Sequence, residues 1–375
     1  MGDGLPVGTD RRISTAVRPS RPAVVTAALW AALVLAVAPT RAQEATALLR
    51  GAVTDTFGTR VPHALVRLLP AGAERFTDVL GGFVFAGLEP GSYRLQARQV
   101  GFEPHESTVT LGSGEATVRV TLRPLIIRLD ELTVSVAGRC RAPGSPESGP
   151  EAALAAVFSQ LRENARRFAV LADSYPFQYF VERIFTNTLE EGSDRTIATD
   201  TVAFESNARP RYRPGRVVGW GVGPRGTRTR AIQLPSLPDL ADSAFIANHC
   251  FGFGGTVERD DGRRLLRVTF RASEDLRSSD VDGHADLDPD TYQLRTLSTR
   301  LTRPGRAMTG VASASATIEL TELFPGLLVP GSVRSVVEPT IDARGLPPVR
   351  SFVDVQRLLR ARFIRASPAD TTVVP

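Results

Sequence analysis

Four groups of residues in this chain have types and spacings that could support chemistry. Asp286, Asp288 and Asp290 stand at the first, third and fifth places of a calcium loop. Its sixth place is Thr291, where glycine would permit the turn, and its twelfth is Leu297, where a bidentate glutamate is required. With both essentials missing, the segment reads as a hairpin turn. Gly221-Val222-Gly223-Pro224-Arg225-Gly226 has the letters of a dinucleotide fingerprint, but Pro224 and the Thr and Arg residues after it do not open a helix, so no phosphate cradle is expected. His249 adjoins Cys250, the residue types of a base and a thiol nucleophile, yet neighbours in a strand point to opposite faces. The strongest group is Arg209, Arg211, Arg213, Arg216, Arg225, Arg228 and Arg230, with no acidic residue between Glu205 and Asp239. Arginine at alternate positions lines one face of a strand with guanidinium groups suited to phosphate or carboxylate. The alternative is a solvated sheet face.

These groups sit in a chain of 375 residues, 42% hydrophobic and 23% charged, which can fold and bury a core. Its 32 Gly and 27 Pro, without a three-residue period, indicate a turn-rich, mainly β protein and not a helical bundle. Arg11, Arg12, Arg18 and Arg21 precede an apolar run from Pro22 to Val37, and Thr40-Arg41-Ala42 offers a cleavage site before Gln43, so residues 1–42 read as a secretory signal peptide. They contain five Arg and two Asp, leaving 40 basic and 38 acidic side chains, net +2, in the mature chain. That balance leaves little general affinity for polyanions, and outside the cytoplasm the polyanion expected is envelope lipid phosphate or acidic glycan, not nucleic acid. No later stretch is long and apolar enough for a membrane-spanning helix. Cys140 and Cys250 are the only cysteines, and in an exported chain they are expected to form a disulfide, two separate buried thiols being the alternative.

From Leu48 to Leu122, short apolar strands alternate with turn signals, the pattern of a small β-sandwich. Strands are expected at Leu48–Val53, His63–Leu69, Gly82–Ala86, Tyr93–Gln99, Glu106–Thr110 and Ala116–Leu122. Asp55-Thr56-Phe57-Gly58 supplies a tight turn, and Pro90-Gly91 leads to Tyr93, placed as in a tyrosine corner. Gly51-Ala52-Val53-Thr54-Asp55 with Gly58, Ala64-Leu65-Val66, Thr77-Asp78, Gly82-Phe83-Val84-Phe85, Leu88, Pro90-Gly91, Tyr93-Arg94-Leu95 and Gly101-Phe102 agree as a set, and this stretch resembles the carboxypeptidase regulatory-like domain. The resemblance implies a transthyretin-like or immunoglobulin-like sandwich of the carbohydrate-binding-like group, accessory to enzymes or outer-membrane receptors and not itself catalytic. A zinc carboxypeptidase of the associated kind needs His-x-x-Glu and a distant His. Here His63, His105, His249 and His284 are followed three positions on by Val66, Thr108, Gly252 and Leu287, so neither peptidase activity nor a metal site is implied. Leu129 to Val136 is similar to the segment that joins this domain to the plug of TonB-dependent receptors, but residues 137–375 are too few for a barrel of roughly 22 strands.

Residues 137–150, rich in Gly and Pro, form a linker after the sandwich domain of residues 43–136. Ser148 and Glu151 have capping-box spacing, and Leu154, Val157, Phe158, Leu161, Ala165, Phe168 and Ala172 follow at helical intervals. One amphipathic helix is expected, covering a sheet with one face. Strands are expected at Leu265–Arg271, Gly283–Leu287, Tyr292–Thr302, Ala312–Leu320, Ser332–Val337 and Val349–Leu359, giving an antiparallel, half-barrel-like sheet within residues 151–365 and a disordered tail at 366–375. Phe245 to Phe251, Asp280-Val281-Asp282-Gly283 and the run from Leu287 to Arg295 resemble the region found beside regulatory-like domains in exported bacterial proteins, and loosely the half-barrels of lipoprotein carriers, which hold acyl chains.

The expectation is therefore a non-enzymatic envelope protein, periplasmic, outer-membrane-associated or extracellular. It has no catalytic residues, metal or cofactor and binds an envelope protein, a glycan or anionic lipid head groups. A carbohydrate-binding accessory module and a lipid-carrier-like protein are the alternatives. The first is weakened by Trp220 being the sole tryptophan outside residues 1–42.

Overall fold

The computed structural model describes residues 46–127, 139–146, 152–189, 191–206, 211–233, 235–259, 261–324, 326–340 and 349–364. The signal segment, Leu129 to Val136, the Ser148/Glu151 capping box, Arg209 and the tail lie outside them.

The first region is a two-sheet sandwich. Strands β1 (Ala47–Asp55), β2 (Leu65–Leu69), β3 (Ala73–Phe76), β4 (Gly82–Leu88), β5 (Gly91–Arg98), β6 (His105–Leu111) and β7 (Gly114–Leu122) form sheets ordered β4-β1-β7 and β3-β2-β5-β6. Alternation sends Tyr93, Leu95 and Ala97 of β5 inward, where they meet Leu49, Val53, Val66, Leu68, Phe83, Phe85, Val120 and Leu122. The Tyr93 hydroxyl donates to the Glu89 carbonyl at 2.7 Å, which closes the expected tyrosine corner. Gly51 is required by packing, because a Cβ there would run into the Phe83 ring. Two expectations need correction. His63 has φ 56 and lies outside the strand, which starts at Leu65. The edge strand β3 was not foreseen, since Ala73-Glu74-Arg75-Phe76 has too little apolar alternation to read as one.

The second region starts with α1 (Ala152–Ser174), followed by β8 (Phe177–Leu189), β9 (Asp194–Glu205), β10 (Val218–Val222) and β11 (Arg228–Ile232). Next come α2 (Ser243–Ile246), β12 (His249–Glu258), β13 (Arg264–Ala272), β14 (Val281–Leu287) and β15 (Leu294–Leu301). The chain ends with α3 (Pro304–Ala307), β16 (Val311–Phe324), β17 (Leu327–Pro339) and β18 (Val349–Phe363). Nine strands make one antiparallel sheet in the order β12-β13-β14-β15-β16-β17-β18-β8-β9, and β10 and β11 form a separate hairpin. Six of these strands were expected; β8, β9 and β12 extend the sheet at both ends. Among the described residues no helix is long and apolar enough to cross a membrane.

Helix α1 uses two faces where one was expected. Leu154, Val157, Phe158, Leu161 and Ala165 pack on the inner face of the sheet against Phe253, Leu266, Val268, Phe270, Ala285 and Leu297. Asn164, also buried, donates to the Tyr292 carbonyl at 2.9 Å and accepts from the Leu294 amide at 3.2 Å, locking the β14–β15 hairpin to the helix. The other buried polar residues, Gln160, Glu163 and Arg167, meet the sandwich. Gln160 Oε1 accepts from the Gly101 amide at 2.8 Å, and Glu163 pairs with Arg98 at 3.6 Å. Arg167 donates through Nη1 to Gln99 Oε1 and through Nη2 to the His63 carbonyl, and it lies 5.4 Å from the Phe76 ring centroid. Burial pulls its guanidinium down to about 10, against the upward pull of Glu163 and Glu322. Gly326 makes room for it: φ is 84 there, and a Cβ would collide with the guanidinium. Residues Ala45–Pro375 accordingly form one compact unit, so the sandwich is not a bead on a linker.

Cys140 and Cys250 are joined by a disulfide with Cα atoms 5.5 Å apart. It fastens the segment of residues 139–146 to the start of β12, where the Gly144 amide also donates to the His249 carbonyl at 3.0 Å and the Glu274 amide to the Cys140 carbonyl at 3.0 Å.

Three outcomes are expected. Arg167→Met removes the donors that satisfy His63 and Gln99 and should lower stability by about 2–4 kcal/mol in urea unfolding, with the sandwich loosened from α1 in hydrogen exchange. The denatured protein should show no titratable thiol. Because the bridge spans 110 residues, the double variant Cys140→Ser/Cys250→Ser should lose on the order of 4–5 kcal/mol. The pKa of His63 is lowered by burial and then by Arg167, and that of His284 by burial and, secondarily, by Arg267 against the opposing pull of Asp286. In the window below 6.5, the ordinary histidine value, the unfolded chain then binds more protons than the folded one. Stability should be full above that value and fall as pH drops through it, and His63→Gln/His284→Gln should flatten the fall in a pH series of unfolding curves.

Candidate functional site

The inner face of the sheet is divided. Over β12–β15 it is filled by α1 and by the turns around Leu237, Leu240 and Phe245. Over β16, β17, β18, β8 and β9 it is covered by the β10–β11 hairpin, and a cavity of about 480 Å³ remains between them. The hairpin is held at several points. At its base Val218 and Ile232 pack on the core. At its turn, Pro224–Gly226, Arg225 has φ 53; its amide donates to Asp200 Oδ2 at 3.2 Å and its side chain to the Ile197 carbonyl at 3.1 Å. Arg183 Nη1 donates to the Val222 carbonyl at 2.9 Å, and Arg230 Nη2 to the Ala307 carbonyl at 3.2 Å.

The cavity's polar centre is Arg183, whose Nη2 lies 2.5 Å from Asp354 Oδ2 and whose guanidinium carbon lies 4.7 Å from the Phe185 ring centroid. Gln356 donates to the same carboxylate at 3.2 Å. Antiparallel register sets this geometry: Asp354 is opposite Phe185, and Gln356 is opposite Arg183. Around the pair the walls are mainly apolar, from Ile197, Val222, Ile232, Ala316, Val337 and Phe352, with Asn187, Ser315 and Ser335 adding hydrogen-bonding groups. A smaller cavity of about 210 Å³ lies between α1 and the sheet, lined by Phe168, Phe177, Tyr179, Ile318 and Leu328, with Asp173 and Arg211 also in its wall.

The arginine group separates in space. Arg211, Arg213 and Arg216 do not alternate along a strand as expected; they are exposed on a loop before β10, because Pro214 cannot donate to a ladder and Gly215 turns the chain with φ 65. That loop is anchored by acids distant in sequence: the Tyr212 hydroxyl and Gly215 amide donate to Asp280 at 2.8 Å each, and the Tyr212 amide to Asp239 at 3.0 Å. The hydroxyl proton of Tyr212 is held more tightly than usual, first by burial and then by Asp280. Arg225 occupies the hairpin turn. Arg228 and Arg230 keep their alternation on β11, with guanidinium carbons 4.5 and 5.4 Å from the centroid of Trp220, which is 58% exposed.

The remaining groups are structural. His249 is buried and stacked on Phe245, with both ring nitrogens on carbonyl oxygens, those of Phe245 at 2.8 Å and Val281 at 3.0 Å, while Cys250 is in the disulfide. Asp286 pairs with both Nε and Nη2 of Arg267, at 2.7 and 2.8 Å. Asp288 Oδ1 accepts the amides of Asp290 and Thr291 in a hairpin turn. Among the described residues no three His, Cys, Asp or Glu side chains are grouped to hold a metal ion. The letters of the dinucleotide fingerprint belong to β10 and the hairpin turn.

Sequence reasoning missed the Arg183–Asp354 pair, whose members are 171 residues apart and carry no local signal. It also missed the apolar tip of the sandwich. There Asp55 and Asp78 each accept two amides with Oδ1 and hold Phe57 and Leu80 outward on turns closed by Gly58 and Gly81. The repeated Asp-x-apolar-Gly pattern was the available sign.

Residues 49–123 match the family model of the carboxypeptidase regulatory-like domain, so the chain contains that domain. No curated protein matches the chain. Among solved structures it is similar to 3-chlorocatechol 1,2-dioxygenase from Rhodococcus opacus, at 14% identity over 23% of this chain and 63% of that one, with a TM-score of 0.19. It is similar to the minor pilin GBS52 of Streptococcus agalactiae, at 22% identity over 25% of this chain and 49% of that one, with a TM-score of 0.20. A DUF1329 family protein from Desulfovibrio piger is 13% identical over 56% of this chain and 95% of its own, with a TM-score of 0.30. The chain thus spans less than two thirds of the first two structures.

Proposed function

We propose that the chain is an exported, non-catalytic binding protein of the bacterial envelope, in which the cavity under the β10–β11 hairpin receives a small, uncharged amphipathic molecule. The cavity carries the proposal. Its volume of about 480 Å³ is within the usual range for small-molecule sites, and mainly apolar walls around a few fixed polar groups are the usual composition. An uncharged ligand is favoured by the paired Arg183 and Asp354, Arg230 in the same wall being turned to the Ala307 carbonyl. Each neutralises the other, so an ion entering beside them would have to break a partly buried pair. The pairing also supports a non-catalytic role, since neither group is left to act as acid, base or nucleophile. Pairing of the two cysteines supports an oxidising compartment.

The filled half of the inner face argues against a carrier with a broad open trough, and an acyl or aromatic group would be confined to the cavity. A glycan-binding reading is favoured only by the exposed Trp220, and Arg228 and Arg230 compete with a sugar for its ring.

Titration with the uncharged fluorophore N-phenylnaphthylamine tests the proposal. Saturable binding at one site is expected. Ser335→Phe, which places a ring in the cavity, should abolish it with an unchanged melting temperature. No saturable binding, or equal binding by the variant, refutes it.

A further inference from the structure

The β10–β11 hairpin presents a surface that the cavity explains only in part: Val222 and Arg230 also reach the cavity wall, while Trp220 and Arg228 do not. Trp220 and Val222 are each 58% exposed. Trp220 lies opposite Arg230 and Val222 opposite Arg228, so the four side chains share one face of the ribbon. The exposed Arg211, Arg213, Arg216 and Arg225 add to their charge, and residues 211–233 contain no carboxylate. The nearby acids do not neutralise these groups. Asp200 accepts the Arg225 amide, while Asp239 and Asp280 accept the backbone and hydroxyl donors of Tyr212 and Gly215. None of the six guanidiniums forms an ion pair with a described carboxylate.

We propose that this face docks on a lipid bilayer carrying anionic head groups, with Trp220 and Val222 entering the interface and the guanidiniums bound to head-group phosphates. The chemistry is complementary. An indole settles at the level of the head groups, arginine stems lie along apolar surface with their charged ends in the polar layer, and an anionic leaflet attracts the cations. The backbone tethers of Arg225 and Arg230 hold the ribbon in place, so docking requires little ordering of the chain. The proposal does not rest on the cavity's ligand, and Trp220 and Arg228 belong to this face alone.

The test uses the chain from Gln43 to Pro375, in which Trp220 is the only indole and the cationic apolar segment before it is absent. The vesicles are phosphatidylcholine alone or phosphatidylcholine mixed with phosphatidylglycerol. Sedimentation with the mixed vesicles should be roughly tenfold stronger or more, should weaken with added salt, and should be accompanied by a blue shift of Trp220 emission. Each guanidinium at an anionic leaflet strengthens binding about fivefold, so Arg228→Gln/Arg230→Gln should weaken sedimentation on the order of twentyfold. Trp220→Ala should weaken it as well, with thermal unfolding of both variants unchanged. Absent or equal binding to the two vesicle types, an unshifted emission, or full retention of binding by both folded variants would overturn the proposal. Tighter binding to soluble dextran sulfate than to the vesicles would do the same and assign the face to acidic glycans.

Discussion

Burial of the Arg167 guanidinium is the constraint on which the arrangement of the molecule depends. A cation removed from water needs acceptors for its donors, and Arg167 finds them for Nη1 and Nη2 on the sandwich, its buried Nε being left without one, while its backbone belongs to the helix of the sheet domain. Two units that could have been joined only by a linker are thereby held in one orientation. Gln160 on Gly101 and Glu163 on Arg98 repeat the same cross-connection along the helix. Gly326, by lacking a side chain, lets β17 approach close enough to enclose the group. The helix is therefore apolar toward the sheet and polar toward the sandwich, and both faces are interior.

The two halves of the sheet's inner face follow from that placement. With α1 lying across β12–β15, the strands beyond it need another cover, and the hairpin supplies one that is small and rich in glycine. Small cover residues fill less volume than a helix would, and the space left over is the cavity. Arg183 serves both sides of it: it neutralises Asp354 in the sheet and holds the Val222 carbonyl of the cover.

Much of this was legible in the sequence where the signal is local. Strand alternation with Asp, Gly and Pro turns located six of the seven sandwich strands, Tyr93 marked its corner, and the 3.6-residue stripe located α1. Composition and the cysteine count pointed to the disulfide. What could not be read was pairing at a distance. Gln160, Glu163 and Arg167 look like the wet side of a helix until the sandwich is laid on them, and Arg183 and Asp354 are ordinary strand residues until register sets them diagonally across β8 and β18. The arginine group misled for the converse reason. Its spacing implied one strand face, while Pro214 and Gly215 divert the chain and Asp239 and Asp280 capture the diversion from far along the sequence.

The position of β8 beside β18 has a further consequence. The first strand of the sheet cannot find its partner until the last has been delivered, so the long antiparallel contact between them closes the largest loop in the domain and falls late in any folding order. Until then β8 is bordered only by β9, with an apolar face waiting for cover.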